Sequence, residues 1–179
     1  MGDREKLTDF IARNISPIRR RWHDLVLASY PPETAKLLGS GRDQFSDPVG
    51  HTLNTAIDDV LEGFRSGALI PDIASALHNL IRIKAVQGFA PSVAVSSVLK
   101  LKQAVRDELA DSPQEFQGAH VDILNELDPM IDELLCTCFD LYVECRQKLS
   151  EIKEEELKRN LYMLLRKANM VDSSGQGGG

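Results

Sequence analysis

No stretch of this chain is apolar for the roughly 18 to 20 residues that a helix needs to span a bilayer. No apolar leader core follows the charged start Met1-Gly2-Asp3-Arg4-Glu5-Lys6. Direct membrane insertion is therefore not expected, and the expected compartment is the cytoplasm. Cysteine is scarce: the three thiols, Cys136, Cys138 and Cys145, suit a reducing compartment better than a disulfide framework. Positive charge is in deficit as well. A formal net charge of -6 argues against a nucleic-acid backbone or an anionic lipid surface as the main partner, since either calls for a concentrated basic face. The densest basic cluster, Arg19-Arg20-Arg21, is short and borders an apolar stretch, so it reads as a solvated helix edge.

Chemistry-bearing motifs are missing too. There is no phosphate-cradling glycine loop, no nucleophile elbow and no kinase signature. None of the four histidines, His23, His51, His78 and His120, stands at zinc-ligand spacing from a cysteine. Cys136 and Cys138 point to opposite sides of a helix, which suits packing better than metal or redox work. His78 lies in mid-helix and raises haem as a possibility, but a satisfied or half-exposed histidine is the simpler account. The neighbouring carboxylates Asp58-Asp59 and Glu154-Glu155-Glu156 diverge around a helix and read as solvated faces rather than general acid-base pairs. We assign no catalytic, metal or cofactor-binding residue, and expect no enzyme.

What is present is helical periodicity, with 42% hydrophobic residues over 179, enough for one substantial core. Leu7, Phe10, Ile11 and Ile15 share one face until Pro17 ends or kinks the helix. Ile18, Trp22, Leu25 and Val26 continue it to the stop at Tyr30-Pro31-Pro32, with a short helix after it to Leu38 and a break at Gly39-Ser40-Gly41. Asp47 caps a helix opening at Pro48 and running to about Arg65. The next helix starts around Pro71-Asp72 and ends at Gly88-Phe89-Ala90-Pro91. Another carries Val95, Val98, Leu101 and Val105 to about Leu109. After the turn Asp111-Ser112-Pro113, a long terminal helix is expected from about 117 to 170, kinked or divided at Pro129. The single helical domain thus spans 1–170, and the Gly/Ser-rich tail 171–179 is expected to be disordered.

Trp22 and Tyr30 are read as core anchors, and Gln87 as part of a capped turn before Pro91. In the last helix Leu135, Cys138, Tyr142, Cys145, Leu149 and Ile152 recur at steps of three and four. One helix cannot bury such a seam alone, so it is expected to line a homodimer interface or to lie on the domain itself. Beyond Ile152 the apolar residues resume at Leu157, Leu161 and Leu164 on a shifted face, a register change across Lys153-Glu154-Glu155-Glu156.

Three blocks carry a family resemblance: Arg21 to Leu38, with Trp22, Tyr30 and Pro31; Phe45 to Gly50, with Pro48 and Gly50; and Ile81 to Ser92, with Arg82, Gln87 and Pro91. In order and spacing they resemble the N-terminal domain of RsbRD-type stressosome co-antagonists. The resemblance implies an all-α, non-haem globin-like sensory domain, or a related helical bundle, with a long C-terminal helix. In that family the sensor pairs through this helix and leads into a STAS output domain. No STAS segment is found in this sequence, so the resemblance is to the sensor alone, free-standing or excised. It implies a non-catalytic regulatory protein of the stress response that acts by contact with an unidentified regulatory partner. The competing readings are a helical binder of a small molecule or redox cofactor, held between the Trp22 helix and the Pro48 helix, and an accessory subunit of a redox complex.

Overall fold

The computed structural model describes residues 5–38, 47–112 and 118–175, with side chains at 37 and from 169 onward outside the description. The break at Gly39-Ser40-Gly41, the Phe45-Ser46 part of the second block, Pro113, the expected helix start near 117 and the last residues of the tail, 176–179, lie outside the described residues. Within them the chain is all helix: α1 (Glu5–Leu27), α2 (Pro32–Leu38), α3 (Pro48–Ser66), α4 (Ile70–Val86), α5 (Pro91–Asp111) and α6 (His120–Gly175).

Pro17 kinks α1 rather than ending it. Proline offers no N–H to the carbonyl one turn back, and the strain is released at Asn14, which leaves helical geometry with φ -118 and ψ 21. Its side-chain amide donates to the Phe10 carbonyl at 2.9 Å, so the opened turn keeps a partner for that oxygen. Both halves still present one apolar face, from Leu7, Phe10 and Ile11 to Ile18, Trp22 and Val26, all buried.

The start of α3 shows why two motif residues are what they are. Pro48 opens the helix, and the Asp47 carboxylate folds over the first turn to accept the Gly50 N–H at 2.8 Å. A Cβ on Gly50 would stand 2.1 Å from an Asp47 carboxylate oxygen and 2.9 Å from the Leu38 carbonyl. Any side chain at Gly50 would thus break the cap or push α2 away.

The core is shared by α1, α3, α4, α5 and the first half of α6, with α6 packed on α4 and α5, and α1 on α3 and α5. Arg19 pairs with Asp58 and contacts Asn54, while Arg21 bridges Glu108 at 2.8 Å and Asp111 at 2.5 Å. Two of the three clustered arginines thus hold α1 to α3 and α5.

The last helix is one continuous rod of 56 residues, about 84 Å long. It contains Pro129 without being divided there. Its backbone stays helical to Gly175, past the Met170 at which the tail was expected to begin. Leu127, Ile131, Leu134, Cys138 and Tyr142 are buried in the domain, but from Ser150 to Ala168 every residue is exposed. The register change across Lys153 to Glu156 coincides with the point where α6 leaves its own domain.

Candidate functional site

The turn between α1 and α2 delivers Tyr30 into the core. Tyr30 N–H bonds the Leu27 carbonyl at 2.9 Å, and the Ser29 hydroxyl returns to the Val26 carbonyl, closing α1. Pro31 follows on the surface, where its carbonyl accepts the Ala35 N–H of α2. One helical face back, Trp22 is 1% exposed and its indole N–H donates to the Ser97 carbonyl of α5 at 2.8 Å. Both aromatic residues are core anchors.

Opposite Tyr30 stands a residue that the sequence pattern placed in α4 without assigning it a role. Lys84 lies one turn beyond Leu80 and Ile81 on the apolar stripe of α4, and it is 1% exposed. A lysine on a core stripe normally bends its amine out to water. Here the ammonium stays inside, 5.6 Å from the centre of the Tyr30 ring, and among the described residues neither Lys84 Nζ nor the Tyr30 hydroxyl has a hydrogen-bond partner. Burial, assisted by the like charge of Lys100 on α5, pulls the Lys84 amine from 10.5 down to about 8. Burial also lowers the amine of Lys100 and raises the phenol of Tyr30. The signal available in sequence was a charge standing in phase with Ile73, Leu77 and Leu80.

The end of α4 closes over this pair. Gly88 takes φ 76, a left-handed value that glycine adopts without strain, and it lets the Phe89 N–H return to the Lys84 carbonyl at 3.1 Å. That places the Phe89 ring edge-on to Tyr30, centroids 5.4 Å apart. Two side chains of α6 fasten the same elbow: the Tyr142 hydroxyl donates to the Phe89 carbonyl at 2.5 Å, and Arg146 donates to the Ala85 carbonyl at 3.1 Å. Tyr30, Lys84, Phe89 and the root of the projecting helix therefore form one contiguous cluster.

The other expected residues scatter. Arg82 is exposed and forms a ridge between two shallow grooves, one of about 430 Å³ with Gln87, the other of about 330 Å³ with His78, Cys145 and Leu149. Gln87 ends α4, its N–H on the Ile83 carbonyl at 2.9 Å, and Pro91 opens α5. His78 is exposed on a groove rim and does not point into the core. Between the Trp22 helix and the Pro48 helix lies an open groove lined by Ile15, Arg19, Asp58 and Glu62, and Trp22 itself is buried and does not line it.

The apolar seam of α6 divides. Cys138 and Tyr142 are buried against the chain's own domain, so they are core residues and not faces for a second copy. Leu135 is half-buried. Cys145 and Leu149 are partly covered by α4, and Ile152 is 53% exposed. Sequence spacing groups all six together because a helix uses the same periodicity whether its cover is its own domain or a partner. The Cys138 thiol is pushed up to about 12 by burial, so it is held as a thiol in the packed core.

Among the described residues no group of histidine, cysteine and carboxylate side chains is arranged to hold a metal ion. Among the described residues no helix is long and apolar enough to cross a membrane. A family model for the RsbT co-antagonist protein rsbRD N-terminal domain matches residues 16–157. The chain belongs to this family. The match begins in the second half of α1, takes in all the core helices, and ends where α6 has just left the domain. Searches of curated proteins and of solved structures return no match.

Proposed function

We propose that this RsbRD-type domain is a non-catalytic, cytoplasmic sensory module of stressosome-like role, globin-like in shape, that signals by contact. In this reading it forms a homodimer through the projecting part of α6 and engages a further regulatory protein. Family membership supports the sensory role. The observation that carries the dimer is the free end of α6, where Leu157, Leu161 and Leu164 are 68%, 59% and 65% exposed. Their spacing of four and three continues to Ala168 and forms a stripe that a lone helix would leave in water. A parallel pair about a two-fold axis covers that stripe with its own copy.

Leu157 and Leu161 stand clear of the domain, so changing them leaves its core untouched. Light scattering at about ten micromolar, a working concentration set to detect a dimer of micromolar affinity, should give a dimer for the wild type. The Leu157→Asp/Leu161→Asp variant should be a folded monomer with unchanged near-ultraviolet circular dichroism. A monomeric wild type, or a double variant that stays dimeric, would show that the stripe serves another purpose.

A further inference from the structure

The Lys84–Tyr30 pair buries a positive charge and a hydroxyl in the core, and among the described residues neither has a hydrogen-bond partner. Each such group costs free energy unless it is matched. Among the described residues no carboxylate forms an ion pair with Lys84, and the charge that acts on its amine is a second cation, Lys100. Local electrostatics therefore lack one negative charge. The ammonium sits 5.6 Å from the ring centre, and it and the hydroxyl on the ring edge do not bond each other. A carboxylate carries two acceptor oxygens and can take one bond from an ammonium and another from a phenol at the same time.

We infer that Lys84 and Tyr30 form a binding site for the carboxylate group of a small monoanionic metabolite, with one oxygen on the ammonium and the other accepting from the phenol. A monoanion matches the single buried cation. A phosphate dianion would bring a second charge into the core at added desolvation cost. Phe89, partly exposed and edge-on to Tyr30, is the layer through which the ligand enters. This inference stands whether or not α6 pairs, because every residue it uses belongs to one domain.

The test is thermal unfolding of the full chain in sodium acetate, sodium propionate, sodium phosphate and sodium chloride at matched ionic strength. One of the carboxylates should raise the wild-type midpoint saturably over chloride, by about 3 °C at ten times its dissociation constant. Lys84→Met should fold and lose that response. Tyr30→Phe should keep the response with affinity about tenfold weaker, the loss of one hydrogen bond to a charged group. No carboxylate effect in the wild type, an equal effect in Lys84→Met, or a response to phosphate alone would overturn the site. The oligomeric state is read separately by light scattering, so failure here is distinct from failure of the dimer.

Discussion

Trp22→Ala should lower the unfolding free energy by about 3 to 5 kcal/mol, read as a shift of the denaturation midpoint at constant slope. The indole is 1% exposed and lies where α1 meets α5, so its removal leaves a cavity that two helices would have to close. It also strands the Ser97 carbonyl, which accepts the indole N–H at 2.8 Å. Trp22→Phe separates the two effects. It restores most of the volume without the donor, and should cost about 1 to 3 kcal/mol, the price of a buried unpaired acceptor plus a residual void. If Trp22→Ala unfolds at the wild-type midpoint, the tryptophan is a surface contact and the α1–α5 packing is wrong.

The parts of this fold that were legible in sequence are those decided locally. Asp47 with Pro48 marks a helix start because the cap and the proline act within one turn, and α3 begins there. Pro91 opens α5 by the proline alone, since Ala90 before it offers no side-chain cap, and α4 ends at Val86, just ahead of the break at Gly88. Pro17 offered ending or kinking. The kink prevails because Ile18, Trp22 and Val26 hold the second half against the same core as Phe10 and Ile11.

What was not legible depends on which surface meets which. Cys138, Tyr142, Leu149 and Ile152 share one periodicity, yet Cys138 and Tyr142 close onto α6's own domain and Ile152 stands largely in water. Only the place where the domain ends decides between them. Residues 153–168 remain helical although their own domain does not cover them, as expected of a stretch rich in Lys, Glu and Leu, which are good helix formers. Lys84 stood in the helical pattern, but the burial of its amine was not legible because charge is normally read as exposure, and only tertiary packing reveals it.

Lys84→Met should therefore stabilise the protein, against the usual direction for a core substitution. A lysine that titrates at 10.5 in the unfolded chain and at about 8 in the fold is disfavoured by about 3 kcal/mol while both states are protonated. Losing the amine's attraction to the Tyr30 ring gives back up to about 1 kcal/mol, which leaves a net gain near 2 kcal/mol in carboxylate-free buffer at pH 7. Methionine is close in length and apolar, so packing changes little. The pH dependence gives a second check. Between about 8 and 10.5 the folded protein has released the proton that the unfolded chain still binds, so wild-type stability rises through that window relative to the variant. The gap between the two should be full below pH 8 and should close as pH approaches 10.5. Urea denaturation of both proteins at pH 7 and pH 9.5 measures it, and subtracting the variant removes the titration of the surface lysines. A variant no more stable than wild type, with a gap that does not change with pH, would mean that the Lys84 ammonium has a partner. A core that retains an unpaired charge at this cost is less stable than its own sequence allows, and binding of an anion there would return that free energy to the folded state.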